Sequence, residues 1–399
     1  MKKNRLLVRA DNILLLFHFL LLFFVCLPYS SNIIFRQIAE ILPYINLIYI
    51  VLAGIRMWRD HNIRNVVFLV VTTLTVAFIC IFNGSSMGSA SAYLTLIFGM
   101  YYACTIGYND SFIKIVSSVG IIYILISAVG SRNYFANWNM SGNSINPNTL
   151  AIVTLVFLFF INIDGLITHK ARWKIVLINI IAAYDIWSYD SRACIFSLLV
   201  YYILILINSK NKKLGFRFWA ILLVITFTGG ILFPLFYINT PQWLITLVTN
   251  LTHKTFYSGR QAIWARFFDT ILNDRLAFII GPGSHMERYF GEINLGSQTA
   301  YMSMHSSYLG IMLNFGLLGI ILFFGVLILH INDLFKINRT GGTILSICIV
   351  SYITFLVVGY AEIILTNSYV VMAFNVFIGL ANYYKNHTEV NNEADNYAI

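Results

Sequence analysis

The eighteen residues Asn65–Phe82, NVVFLVVTTLTVAFICIF, hold no charged side chain, no proline and no glycine. Coiled as a helix at 1.5 Å per residue they span about 27 Å, close to the roughly 30 Å hydrocarbon core of a bilayer. Comparable apolar runs lie on both sides, at about 12–29, 38–55, 88–107, 112–130, 147–163, 173–189, 192–208, 217–238, 305–330, 342–363 and 367–384. With the first, that makes twelve predicted spans. The composition agrees: of 399 residues, 59% are hydrophobic and only 11% charged, against roughly 25% charged in an ordinary soluble domain. Short alternating segments of the β-barrel kind are missing, so the fold class is all-α, a polytopic integral membrane protein. The run at 12–29 follows a basic N-terminus, as in a signal peptide, but no small-residue cleavage site follows it and Pro28 and Tyr29 close it. It reads as the first span.

A net charge of +10 raises the question of nucleic acid, and the placement of the charge answers it. With a cytoplasmic N-terminus, eighteen of the 26 lysines and arginines fall in cytoplasmic segments, and three (Arg36, Arg132, Arg192) in short outer loops. The other five (Lys254, Arg260, Arg266, Arg275, Arg288) share one long outer loop. Short cytoplasmic loops are enriched in basic residues in this way, and long outer loops are exempt. The positive charge is therefore a topology signal with both termini cytoplasmic, and no nucleic acid is expected as a partner. Cys26, Cys80, Cys104, Cys194 and Cys348 lie in or beside apolar runs without CxxC or metal-ligand spacing, and read as small hydrophobes. No inverted repeat of the transporter kind is visible. The chain divides into membrane helices over 1–238, an outer loop over 239–304, membrane helices over 305–385 and a polar cytoplasmic tail over 386–399.

The outer loop is too apolar for a disordered linker. Thr240 and Pro241 read as N-cap and first residue of a helix whose Trp243, Leu244, Leu247, Val248 and Leu251 share a face, suited to lying in the bilayer interface. Ser258 with Gln261 has capping-box spacing, and Ile263, Trp264, Phe267, Phe268, Ile271 and Leu272 follow at helical period. Gly281, Pro282 and Gly283 form a tight turn after Leu276–Ile280.

Chemistry should gather where helices begin at the outer face, because their unpaired N–H groups and partial positive charge point outward. Asn146, Pro147 and Asn148 open the sixth span, Asp190, Ser191 and Arg192 the eighth, Arg260 the loop helix, and His305 with Ser306 the tenth. Helix starts combined with arginines favour anions, phosphate above all. Each residue has a plainer reading: Arg192 as a solvated loop arginine or the partner of Asp190 or Asp185, Arg260 as the wet face of an amphipathic helix, His305 as a polar cap. The functional reading of His305 is a neutral base held unprotonated by a helix start. Glu362 and Asp185, near the outer ends of their spans, are functional carboxylates or structural partners of an arginine. Arg266, Arg275, Arg288, His253 and His285 read as surface. There is no DxD pair, HExxH or Walker loop, so no metal and no nucleotide cofactor is expected.

In order and spacing, N-P-N (Asn146–Asn148), S-R (Ser191, Arg192), S-G-R-x-x-x-W (Ser258–Trp264), G-x-G (Gly281, Gly283) and H-S-x-Y-L with G-x-x-G (His305–Leu309, Gly316, Gly319) resemble the O-antigen polymerase and ligase superfamily. The resemblance is strongest to the Wzy-type polymerases of O-antigen or capsule. It implies a GT-C-like membrane glycosyltransferase of the bacterial inner membrane, with a large periplasmic loop and no cofactor. Its substrates would be undecaprenyl-pyrophosphate-linked glycans, as donor and as acceptor, in the lipid bilayer, with a chain-length regulator as a further candidate partner. The catalytic residues implied are Arg192 and Arg260, on the pyrophosphate, and His305, near the acceptor hydroxyl. Arg132, Asn146, Asn148, Ser191, Tyr308 and Glu362 are substrate-binding candidates. Arg132 with Gly142 fits an arginine-to-glycine motif only loosely, and the asparagine usual after the histidine is Ser306 here. The alternatives are an O-antigen ligase and, in another class, a lipid-linked oligosaccharide flippase or transporter.

Reporter fusions check the topology. A reporter active only outside the cytoplasm should be active when inserted within 239–304 and silent at the C-terminus; the opposite pattern would overturn the charge reading.

Overall fold

The computed structural model describes residues 2–27, 41–61, 63–130, 146–168, 172–210, 216–252, 260–283, 304–335 and 343–396. Among them every regular element is a helix. The first five are α1 (Lys2–Val25), α2 (Leu42–Arg59), α3 (Ile63–Asn83), α4 (Met87–Thr105) and α5 (Asp110–Gly130). Then come α6 (Pro147–Ile167), α7 (Arg172–Ser188), α8 (Arg192–Lys210), α9 (Phe216–Ile238), α10 (Gln242–Thr252), α11 (Arg260–Asn273) and α12 (Arg275–Ile280). The chain closes with α13 (Ser307–Phe335), α14 (Thr343–Val358) and α15 (Val371–Asn396).

Each of the twelve predicted spans coincides with a helix. Six, in α1, α3, α5, α6, α9 and α13, are long and apolar enough to cross a membrane, and α8, α14 and α15 carry shorter apolar stretches. The other three, α2, α4 and α7, pack into the same bundle: α2 on α4, α4 on α15, and α7 on α5 and α6. The protein is a polytopic helical membrane protein.

Burial sorts the helices. The apolar window of α6 is 89% buried and that of α3 22%, so α6 is central and α3 peripheral. Val67, Val70, Val71, Leu74, Phe78 and Ile81 of α3 are exposed. In water that surface would be an adhesive patch; in a bilayer it is the lipid-facing side. At the end opposite the candidate site, Arg56 of α2 forms a buried ion pair with Asp11 of α1, and the Tyr102 hydroxyl donates to the same carboxylate at 2.7 Å. Arg56 also donates to Thr105 O at 3.0 Å. A buried charge with this many partners ties three helices together.

Two interruptions depart from the sequence expectation of plain spans. α13 is kinked at Gly316, whose backbone (φ 60°, ψ −157°) is not helical. The Gly281–Gly283 turn lies in the notch, and a Cβ on Gly316 would collide with the backbone of Ile279 and Gly281. Breaking a helix inside a bilayer orphans carbonyls that water cannot reach, and here they have donors. Gly283 N donates to Leu313 O at 2.8 Å, and buried Asn83 donates through Nδ2 to Asn314 O at 2.9 Å, Gly281 O at 3.1 Å and Ile280 O at 3.2 Å. The second interruption is the irregular segment 359–370 between α14 and α15, where the sequence suggested a span running on through residue 363. Its far end reaches α1 and α2: His18 Nε2 bonds Tyr369 O at 3.2 Å, and Asn46 Nδ2 donates to Ser368 O at 3.0 Å.

Leaving a buried polar group without its partner costs about 1–3 kcal/mol. Asn83→Ala should therefore lower the unfolding temperature of the detergent-solubilised protein by several degrees. An unchanged midpoint would mean that the carbonyls of 280, 281 and 314 have other donors.

Candidate active site

The site is built from helix starts. Asn146 caps α6, its side chain accepting from Asn148 N at 2.9 Å with Pro147 in the first turn, so the N-P-N reading holds locally. Ser191 precedes α8 and its carbonyl accepts from Ile195 N at 3.0 Å, leaving Arg192 as the first helical residue. Ser306 opens α13 through its carbonyl (Gly310 N, 2.8 Å) and hydroxyl (Leu309 N, 3.4 Å). Arg260 is the first residue of α11.

These starts converge on Glu362. Arg260 donates to its Oε1 at 2.9 Å, and Asn148 Nδ2 donates to the same oxygen at 2.8 Å. Glu362 is positioned by Ser307, whose Oγ donates to Glu362 O at 2.8 Å and accepts from Ile364 N at 2.8 Å and Leu365 N at 3.1 Å. Ser307 N donates to Gly359 O at 2.8 Å. One hydroxyl thus stitches the irregular segment to the start of α13. The Arg260 charge is close enough to act on both Arg192 and His305, and Tyr237 acts on Arg192. One mouth of the bundle therefore holds Asn146, Asn148, Arg192, Arg260, His305 and Glu362, drawn from α6, α8, α11, α13 and the 359–370 segment.

The loop helices are held from below. Ile263, Trp264, Phe267 and Ile271 of α11 are buried while Leu272 is exposed, so the inward stripe is narrower than its periodicity suggested. The Trp264 indole N–H donates to Met304 O at 2.6 Å, and its ring packs on Tyr237 with centroids 4.9 Å apart. Gln261 donates through Nε2 to Ile238 O at 3.2 Å; its expected capping-box partner Ser258 lies outside the described residues. Thr240, expected to cap α10, turns back to the end of α9, its hydroxyl donating to Tyr237 O at 3.0 Å and Phe236 O at 3.1 Å. Pro241 O accepts from Leu244 N and Ile245 N instead. Trp243 and Leu247 of α10 are exposed, in keeping with a helix on the bilayer interface.

Two backbone outliers adjoin the site: Asp190 (φ 56°) and His305 (φ 47°) adopt left-handed conformations. For a residue with a Cβ this costs of order 1–3 kcal/mol, and such strain persists where surrounding contacts overdetermine it. At His305 the constraints are the Trp264 bond to Met304 on one side and the Ser307 network on the other. Burial first, and the Arg260 charge second, push the His305 imidazole down to about 4. It is neutral at neutral pH, as the sequence suggested, but as a weaker base than expected. Burial raises the Glu362 carboxyl, opposed by Arg260 and Asn148.

Two of the expected residues are buried. Tyr308 is fully buried and its hydroxyl donates to Leu356 O at 3.3 Å, which puts it in the aromatic wall with Phe227 and Tyr360. Ser191 is buried at the α7–α8 turn. Asp185, fully buried, accepts from Thr154 at 2.7 Å and Ser127 at 3.0 Å, joining α5, α6 and α7 below the site. Arg266 and Arg275 are exposed, as expected. Arg132, Gly142, Ser258, His253, His285 and Arg288 lie outside the described residues. Ser307 and Trp264 were missed as positioning residues; the doubled serine after His305 was the available signal for the first.

Residues 177–324 match the Wzy_C family, described as O-antigen ligase. The match runs from within α7 to within α13 and includes Arg192, Arg260 and His305, while Asn148 and Glu362 lie beyond it. It supports placement in the O-antigen polymerase and ligase superfamily, whose members suggest a membrane glycosyltransferase of polysaccharide or lipopolysaccharide synthesis. No curated protein and no solved structure matches the chain.

The His305 shift has a direct consequence. An unfolded chain binds the proton near 6.5 and the folded one only near 4, so between these values the unfolded state holds more protons and stability falls as the pH drops. Unfolding temperature followed from pH 7 to pH 4 should fall less steeply for His305→Asn than for the parent chain. Parallel curves would contradict the half-buried, neutral imidazole.

Proposed function

We propose that this protein polymerises undecaprenyl-pyrophosphate-linked oligosaccharide repeat units at the periplasmic face of the bacterial inner membrane, with both termini cytoplasmic. The observation that carries the reading is the meeting of Arg260 with Glu362 and Asn148 at one mouth of the bundle, with Arg192 and His305 in electrostatic reach. Two arginines and four helix starts at one mouth suit a diphosphate, whose charge they stabilise without a metal.

A growing chain on its lipid carrier is the donor, and a single lipid-linked repeat unit supplies the acceptor hydroxyl. Arg192 and Arg260 hold the pyrophosphate and stabilise the charge that builds on it as the glycosidic bond to phosphate breaks. Asn146 and Asn148 line the α6 side. His305, neutral and weakly basic, orients the acceptor hydroxyl. The segment 239–304, with α10 on the interface and α11 over the mouth, positions two lipid-anchored substrates, and holding both in one cleft lowers the entropic part of the barrier.

A second reading, transfer of a finished glycan onto lipid A core, is favoured by the description of the matched family and uses the same groups. A flippase is less suited, because a carrier needs its substrate site at the bilayer midplane, whereas Arg192, Arg260 and His305 stand at helix starts at one end of the bundle.

Arg192→Ala, Arg260→Ala and His305→Ala, each expressed at normal level in cells lacking the parent protein, should leave single-repeat glycans on the surface. Loss of one electrostatic donor should cost about 100- to 1000-fold in rate. Normal chain-length ladders from all three would refute the site. Ladders on the lipid carrier with no transfer to lipid A core identify the polymerase; the converse identifies the ligase.

A further inference from the structure

Glu362 is the one carboxylate bonded to Arg260 at this mouth among the described residues, and it sits where a phosphate oxygen would be received. A guanidinium grips a carboxylate and a phosphate with the same donors, so the two compete for Arg260. We propose that in the empty site Glu362 stands in for the donor pyrophosphate on Arg260, and that the incoming pyrophosphate displaces it, freeing the Glu362 carboxylate to take the proton from the acceptor hydroxyl. The inference rests on the glycosyl-transfer reading above and adds the proton acceptor that His305 is poorly suited to be.

The step balances. The acceptor oxygen forms the new bond to the anomeric carbon, the bond from that carbon to the pyrophosphate oxygen breaks and its electron pair leaves with the pyrophosphate, and the hydroxyl proton passes to Glu362 Oε. The carboxylic acid then returns the proton to solvent or to the departing pyrophosphate.

Three observations support the exchange. The Glu362 side chain is 8% exposed, so its charge needs a partner, and Arg260 and Asn148 supply one while the site is empty. Ser307 fixes the main chain of Glu362, Ile364 and Leu365, so the carboxylate stays at the mouth when Arg260 turns to the phosphate. Removing the guanidinium from a buried carboxylate strengthens it as a base, and burial already pushes Glu362 in that direction. The groups that act on Glu362 are Arg260 of α11 and Asn148 of α6; the Cys194 thiol of α8 lies near enough to be raised by Glu362, and His305 and Arg192 are in reach of Arg260. Of these, the two arginines are taken by the phosphates, and His305 binds a proton only near pH 4.

The test uses the full-length protein in nanodiscs. Undecaprenyl pyrophosphate serves as the binding probe, and the lipid-linked repeat unit isolated from cells lacking this protein serves for single-turnover measurements between pH 5.5 and 8.5. Glu362→Gln keeps an acceptor for Arg260 and Asn148 but cannot take a proton. It should bind undecaprenyl pyrophosphate at least as tightly as the parent, turn over about 100-fold or more slowly, within the usual range for a lost general base, and lose the pH dependence. Glu362→Asp should keep that dependence and part of the rate. A glutamine variant within tenfold of the parent rate, or one whose pyrophosphate affinity falls in step with its rate, overturns the assignment and leaves glycosyl transfer standing. A parent protein that neither binds the probe nor turns over the repeat unit overturns both.

Discussion

The ion pair between Arg260 and Glu362 is the contact on which the site's geometry depends. It joins the start of a loop helix to an irregular segment between two membrane helices, and through Asn148 it reaches the start of the most buried helix of the bundle. Each partner is costly to bury alone. Losing one side of such a pair costs about 3–5 kcal/mol, because the remaining charge has no compensation. The pair therefore holds α6, α11 and the 359–370 segment in one arrangement while keeping a cation and an anion at the mouth.

The same rule governs the backbone. Away from water every N–H and C=O needs a partner inside the protein, so each departure from helix must be matched by a side chain. The kink at Gly316 is matched by Asn83 and the glycine turn, and the 359–370 segment by Ser307, His18 and Asn46. These polar residues lie on helices that are otherwise apolar, and their positions follow from where the chain breaks. Function follows as well, since the segment that Ser307 secures is the one that carries Glu362.

Much of this was legible in the residues. Apolar run length placed a helix at each of the twelve runs, turn and cap chemistry placed the N-P-N start of α6 and the Gly281–Gly283 turn, and helical period placed Trp264 on the apolar stripe of α11. Local signals failed where a residue had two partners to choose from. Thr240 had the chemistry of an N-cap, yet bonds backward to α9, and Gln261 reaches Ile238 O at the end of the same helix. In both cases the acceptor is a carbonyl near the end of α9. Tyr308 lies three residues from His305 in a motif that looks functional, but His305 precedes the helix in a left-handed conformation, so helical spacing does not put the two on one face, and Tyr308 packs into the aromatic wall with Phe227 and Tyr360.

By itself the sequence determined the membrane class, the places of the apolar helices, the order of the polar helix starts and the residue types suited to an anion, because hydrophobic length and capping are local properties of a chain. The tertiary structure alone decided that Glu362 and Arg260, 102 positions apart in the chain, face each other, that Ser307 pins the irregular segment, and that desolvation leaves His305 a poor base. Pairing, burial and desolvation depend on what packs against a group, and that is fixed only when distant helices meet.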